Sequence, residues 1–302
     1  MGFRIVFIKN GEYLRTRLDN LLITKNGETI YIPLSDIESI ILEGHDTVVT
    51  TKLLAKLATH NINLIVSDHH YLPCGNFLSI GQYHRAAKRS LWQSQWTCEQ
   101  KEFAWTAVVQ QKLKNQIEVC RLLETKSTRI ALMEKLYREL EPGDKTNREG
   151  HIAKVYFNSL FGKKFTREDD SVINHALDYG YSIIRSFIAR TIVGAGLIPS
   201  LGIFHCNEYN AFNLADDLIE PFRPVLDLYT VKLLDRYNIN YLSYEIRLEL
   251  VNFLNQVLTV NNKKCYINQV IVDFVNSFIK MIEDNNDNLL LPIDVTTLEK
   301  GQ

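Results

Sequence analysis

Residues 202–224, GIFHCNEYNAFNLADDLIEPFRP, gather the side chains best suited to chemistry in this chain. His205, Asp216, Asp217, Glu220 and Arg223 stand among apolar residues rather than in a run of charge. Asn207 or Asn210 can cap a helix beginning near Ala211, with Phe212, Leu214, Leu218 and Ile219 interleaved. Asp217 and Glu220 are then three apart, and Asp216 and Glu220 four apart, so carboxylates share a face. Like charges at that spacing repel unless a cation lies between them. This stretch therefore reads either as a solvated acidic face beside a loop histidine or as half of a divalent-metal site. Cys206 adjoins His205, but neighbouring residues rarely aim at one atom, which argues against a Cys/His nucleophile.

A third candidate ligand is Glu149, in TNREGHIAKVYFNSLF (146–161). Asn147 can cap this helix, which puts Glu149 in the first turn, where a carboxylate complements the helix dipole. Gly150 beside it costs helix stability, about 1 kcal/mol relative to alanine, and suggests that something approaches the backbone closely. Ala153, Tyr156 and Phe157 would form the packed side.

The elements that position these residues follow from pattern. At 302 residues with 46% hydrophobic residues, the chain can bury full cores, most simply as two domains. Residues 1–80 read as a small β-rich domain. FRIVFIK (3–9), LLITKNGETIYI (21–32) with its Asn26-Gly27 hairpin signal, IESIILEG (37–44) and INLIVSD (62–68) are strand-like. A helix, TTKLLAKLATHN (50–61), carries Leu53, Leu54, Leu57 and Ala58 on one side and has Thr50 as its cap. His69 and His70 have no third ligand nearby and read as surface.

Residues 81–95, GQYHRAAKRSLWQSQ, form a connector in which Arg85, Lys88 and Arg89 lie at helical spacing beside Tyr83, Trp92 and Trp96. It is either a solvated link or a phosphate-contacting patch with stacking aromatics. From 96 to 302 the period is helical, giving an all-α domain with helices expected over 96–124, 127–140, 147–161, 172–195, 211–236, 243–258 and 266–283. Helix 211–236 should kink at its prolines. Lys263-Lys264 reads as loop, and the residues after Pro292 read as a frayed end. The fold class is thus α+β, strands first.

Composition removes several function classes. Five scattered cysteines without CxxC spacing exclude a zinc cluster and a disulfide framework, and imply a reducing compartment. Arg4 and Lys9 interrupt the first apolar run, and Arg185 and Arg190 interrupt residues 183–201, so neither a signal peptide nor a membrane span is expected. A cytoplasmic protein is the expectation. There is no Walker or dinucleotide fingerprint. The net charge of −1 means that any basic surface must be made by folding.

Three segments together resemble the CRISPR-associated integrase, the nuclease subunit that inserts new spacers into the array. They are REGHIAKVYF (148–157), NHALDYGYSIIRSFIARTIVGAGLIPSLGIFH (174–205) and NAFNLADDLIEPFRP (210–224). Each is weak alone; in this order, over nearly the whole chain, they are specific, and the wording is nearest the type II branch. The resemblance implies metal ligands at Glu149, His205 and Glu220, with Asp217 supporting. Glu220 stands where many members have aspartate. It also implies Mg²⁺ or Mn²⁺, a homodimer through the β-rich domain, a smaller second adaptation subunit, and double-stranded DNA as substrate.

Two carboxylates and an imidazole suit either ion. The implied reaction is attack by a 3′-OH on a phosphodiester, a transesterification; with water as nucleophile the same site would cleave branched DNA. Arg85, Lys88, Arg89, Lys154, Lys163, Lys164 and Arg223 are the candidate DNA contacts, although Arg223 can equally pair with Glu220. Two rivals remain. One is a non-catalytic DNA-binding scaffold. The other, a histidine-aspartate phosphohydrolase, is disfavoured because His45-Asp46 stands alone in the β-rich part.

Overall fold

The computed structural model describes residues 4–9, 13–79, 83–237 and 241–299. Phe3 of the first expected strand and Gly81 and Gln82 of the expected connector lie outside them. The chain divides into two compact units. One comprises residues 1–89 with 193–197; the other comprises 90–192 and 198–302.

The first unit contains two four-stranded sheets and a helix. Strands β1 (Arg4–Ile8), β5 (Ile37–Leu42), β7 (Asn63–Ser67) and β8 (Pro73–Phe77) lie in that order, parallel except for β8. Strands β4 (Glu28–Pro33), β3 (Asn20–Lys25), β2 (Tyr13–Arg17) and β6 (Val48–Val49) make the other sheet. The Asn26-Gly27 signal holds: Lys25 pairs with Glu28, and φ is 50° at Asn26 and 84° at Gly27, as a type I′ turn requires. All six residues of β5 are buried, as befits a strand flanked on both edges and covered on both faces. Helix α1 (Thr51–Thr59) is capped by the Thr50 hydroxyl, which accepts from Leu53 N at 3.3 Å. Its Leu53 and Leu57 enter a core with Leu14, Leu21 and Ile40.

After α2 (Ala86–Ser94), the second unit is built around α3 (Cys98–Leu122). A reciprocal capping box between Thr97 and Gln100 starts α3. Against α3 pack α4 (Ser127–Arg138), α5 (Arg148–Leu160), α8 (Arg223–Leu234), α10 (Ile267–Asp284) and the C-terminal segment. Helices α6 (Val172–Gly194), α7 (Asn213–Leu218) and α9 (Tyr244–Asn252) complete the helical set. Among the described residues no helix is long and apolar enough to cross a membrane.

Three expectations are corrected here. The second unit is not all-α: the helix expected over 243–258 stops at Asn252, and β9 (Val257–Val260) and β10 (Lys263–Tyr266) form an antiparallel hairpin. Asn261 and Asn262 turn it with φ of 49° and 61°, and Lys263 and Lys264, read as loop, pair with Val260 and Thr259. Only Leu258 and Val260 of β9 are buried, a period of two too short to interrupt the helical pattern around it. The C-terminal segment is not frayed. Gln111 Oε1 accepts from Ile293 N and Asn115 Oδ1 from Val295 N, both at 3.0 Å, and Glu299 bridges Val257. Helix 211–236 is three pieces rather than one kinked rod, because Pro221 lies in a 3₁₀ turn, Glu220–Phe222, between α7 and α8.

Candidate metal centre on the central helix

Glu149 is placed by a helix start with two caps. Asn147 Oδ1 accepts from Gly150 N at 3.2 Å, as the sequence suggests. Asp144, buried in the preceding turn, accepts from Arg148 N at 2.7 Å and from Glu149 N at 3.0 Å, a second cap that the sequence pattern did not reveal. The close approach at Gly150 is the cap itself: a Cβ there would stand 2.7 Å from Asn147 Oδ1. On the packed side of α5, Ile152 and Tyr156 are buried, while Ala153 and Phe157 are half-buried.

His205 lies in a loop folded tightly around Asp217. Asp217 is fully buried and takes four hydrogen bonds. Oδ2 accepts from Ile203 N at 2.7 Å and Phe204 N at 3.2 Å; Oδ1 accepts from His205 N at 3.0 Å and pairs with His205 Nδ1 at 2.7 Å. With Nδ1 committed, Nε2 is the ring atom left for a ligand. The Asp217 hydrogen bond holds the imidazole pKa above its ordinary value, against the opposing effect of burial. Gly202 permits the fold-back, since a Cβ would stand 2.3 Å from His205 O and 2.8 Å from Asp217 Oδ2. Trp105 of α3 backs the loop, stacked on Phe204 with ring centres 4.2 Å apart.

The two asparagines expected to cap the following helix shape this loop instead. Asn210 accepts from Phe212 N at 3.0 Å and donates to Asp216 Oδ2 at 2.7 Å; Asn207 accepts from Tyr209 N at 2.9 Å. Helix α7 therefore starts at Asn213, without a side-chain cap. Asp216 is engaged elsewhere, by Asn210 and by Arg185 at 3.5 Å.

Glu220 is buried in the 3₁₀ turn, where Oε1 accepts from Arg223 Nε at 2.8 Å. The Arg223 guanidinium also lies 4.5 Å above the Tyr181 ring. The residue that joins the site was not foreseen. Lys112 of α3, buried, places its ammonium against both Glu149 Oε1 and Glu220 Oε2. Burial pushes the Glu220 carboxyl up, but Lys112 and then Arg223 outweigh it and hold the pKa at about 2. Burial likewise opposes charge on Lys112, and Glu220 and Glu149 overcome it, so the ammonium pKa is raised. The available signal was a lysine between Val108, Val109 and Leu113, at positions that share the buried face of the helix.

The structure thus joins Glu149 and Glu220 through Lys112, with the charge of Glu220 reaching His205. Among the described residues no three of His, Cys, Asp and Glu are arranged to hold a metal ion. The donor chemistry nevertheless suits Mg²⁺ or Mn²⁺. Glu220 Oε2 is buried and accepts no hydrogen bond of ordinary geometry, touching only the ammonium.

Behind the site, Asp227 of α8 is buried and accepts from Tyr156 at 2.9 Å and from Tyr181. Burial drives its pKa up to about 6 despite both hydroxyls. Neither tyrosine nor Asp227 was singled out for this from sequence.

The expected DNA contacts are scattered by element. Arg85 and Lys88 are exposed, and Arg89 donates to Tyr83 Oη at 3.1 Å, within the first unit. In the second, Lys154 is exposed on α5 and Lys163 and Lys164 are exposed just beyond it. Trp96 is buried, edge-on to Phe278, so it offers no free stacking face.

Comparison with known proteins follows the same lines. A chain called CRISPR-associated endonuclease Cas1, from Neisseria meningitidis serogroup C (strain 8013), is 37% identical over 304 residues, covering 100% of this chain and 99% of the relative. Among solved structures, a chain of a Cas6-RT-Cas1–Cas2 complex superimposes with a TM-score of 0.73 at 18% identity, over 98% of this chain and 36% of that longer one. A casposase bound to integration product gives a TM-score of 0.69 at 18% identity, over 97% and 93% of the two chains. These two likenesses establish the fold, strands first and a mostly helical unit after. Residues 5–270 match the family described as CRISPR associated protein Cas1, and with the full-length similarity above, the chain belongs to that family.

Proposed function

We propose that this chain is a divalent-metal-dependent DNA integrase and endonuclease that inserts new spacer DNA into a CRISPR array. The observation that carries the reading is the meeting of Glu149 and Glu220 at one buried ammonium, with His205, tied to Asp217, within electrostatic reach of Glu220. Glu149, Glu220 and Nε2 of His205 would hold the ion. When bound, Mg²⁺ or Mn²⁺ offsets developing charge on a phosphodiester and lowers the pKa of a hydroxyl or water.

The chain's own residues do the rest. Asp217 fixes the imidazole tautomer and orientation, and Arg223, clamped by Glu220 and Tyr181, sets the carboxylate that faces the reaction. In strand transfer a new bond forms between the incoming 3′-oxygen and phosphorus as the bond to the existing 3′-oxygen breaks. The count of phosphodiesters is unchanged, so no external energy source is needed. Water in place of the 3′-OH gives cleavage of branched DNA. The Neisseria relative, called an endonuclease, supports the nuclease half, and the similar casposase, bound to integration product, supports the integrase half.

The reading extends to partners: double-stranded DNA, a second copy of the chain through the β-rich unit, and a smaller subunit of the Cas2 kind, which the similar Cas6-RT-Cas1–Cas2 complex includes. A cytoplasmic setting fits such a substrate. The deciding experiment is transfer of a short duplex into a repeat-containing plasmid with Mn²⁺ or Mg²⁺. Glu149→Ala, His205→Ala and Glu220→Ala should each lower it at least a hundredfold with the fold retained. Near-normal transfer by two of the three would sink the assignment. Absence of both transfer and branched-DNA cleavage in the parent protein would favour a non-catalytic scaffold.

A further inference from the structure

Lys112 stands where the candidate site needs a cation. Its side chain is 8% exposed, and among the described residues its ammonium meets the carboxylates of Glu149 and Glu220. An ammonium is buried at this depth only when paired, and a carboxylate pair brought together needs a positive charge between its members. Each group answers the other's need. Glu220 has one oxygen already committed to Arg223, and Lys112 covers the second. An ion ligated by both carboxylates must therefore take the place of the ammonium, since a divalent charge beside it would be strongly repelled.

We propose that Lys112 is a built-in placeholder cation, which holds Glu149 and Glu220 together and gives way when a divalent ion binds between them. The inference rests on the metal reading above and adds the residue that sets the ion's affinity. A lysine suits the role because its compact charge rides on a flexible stem, so the ammonium can withdraw while α3 stays in place. An arginine there would grip both carboxylates with a planar fork and yield less readily. The position explains why a lysine is buried on the central helix between Val108, Val109 and Leu113.

The test is Mn²⁺ binding to the full chain without DNA, followed by electron paramagnetic resonance of the free ion at low ionic strength. Lys112→Met removes the competing charge and should bind Mn²⁺ at least tenfold more tightly than the parent. In a chelator it should melt at lower temperature, and Mn²⁺ should raise its melting point by more than it raises the parent's. Lys112→Arg should melt like the parent in a chelator and bind Mn²⁺ at least tenfold more weakly. Should the methionine variant not fold, the arginine comparison decides alone. A parent that binds Mn²⁺ with a methionine variant binding no tighter, or an arginine variant binding equally well, overturns the placeholder role and leaves the metal reading intact. A parent without Mn²⁺ binding sensitive to Glu149→Gln overturns both.

Discussion

Asp217→Asn is the substitution whose consequences are most fully written in the geometry. The carboxylate receives four donors, two on each oxygen. A carboxamide keeps one oxygen and aims an NH₂ group at the other two donors. If nitrogen takes the Oδ1 place, His205 Nδ1 must become an acceptor; its proton then moves to Nε2, the atom needed for a ligand. If nitrogen takes the Oδ2 place, the Ile203 and Phe204 amides lose their acceptor and the loop loosens. The Oδ1 orientation loses one hydrogen bond and reverses another, the Oδ2 orientation loses two, and each such bond to a charged group is worth about 1.5–3 kcal/mol. After relaxation, about 2–4 kcal/mol of stability should go, or roughly 5–12 °C in melting temperature. Loss of an outer partner of a ligand histidine should weaken Mn²⁺ binding and strand transfer about ten- to a hundredfold. Asp216→Asn touches only Asn210 and Arg185 and should cost under about 1 kcal/mol and about threefold in rate. Calorimetry, Mn²⁺ titration and the histidine nitrogen shifts read these quantities directly. Parent-like Mn²⁺ affinity in Asp217→Asn alongside a defect in Asp216→Asn would refute the reasoning.

Two further outcomes follow from the same region. Gly202→Ala forces a Cβ to within 2.3 Å of His205 O, so the loop must shift. Overpacking should cost about 1–3 kcal/mol, and the displaced histidine about a hundredfold in strand transfer, read by urea melts and plasmid integration; an unchanged rate would show that the loop has slack. Asp227 supplies the pH test. Its folded pKa of about 6 lies above the ordinary 3.8, so its contribution is full below the unfolded value and is lost as pH rises through 6. Asp227→Asn removes that loss, so its stability relative to the parent should rise by about 2 kcal/mol between pH 4 and pH 7. Urea midpoints against pH for both proteins measure this, and a flat difference would contradict the assignment.

What was legible in the sequence was local. Asn26-Gly27 specified its own turn, Thr50 and Asn147 their own caps, and the long helices their period, because each depends on a few adjacent residues. What was lost depended on partners far along the chain. The segment after Pro292 has the composition of a frayed end, and it is ordered because Gln111 and Asn115 of α3 satisfy its backbone. The β9–β10 hairpin is only four residues a strand, below the length at which a period of two declares itself. Glu149, His205 and Glu220 were singled out because motifs mark them, and of these the structure brings Glu149 and Glu220 to one ammonium. Lys112 belongs to no motif, and its meaning appears only once α5 and the 3₁₀ turn are laid on α3.

That arrangement also explains how such a charged site can sit inside a packed helical unit. Glu149 and Glu220 bring two negative charges, and Lys112 and Arg223 return two positive ones. Asp217 is the remaining buried acid at the loop, and the backbone amides of Ile203, Phe204 and His205 serve it together with the imidazole. Each of these buried charges thus has a partner, which is the condition for burying it at all. The same balance makes the site responsive. On the proposed reading, a divalent ion bound between Glu149 and Glu220 would add positive charge that the surrounding protein does not offset, and a phosphodiester would bring the negative charge that does. On the proposed reading, metal and nucleic acid would therefore suit this site better together than singly, and the fold supplies the rigid part: one long helix, a double-capped helix start, and a loop tied at four points to a single aspartate.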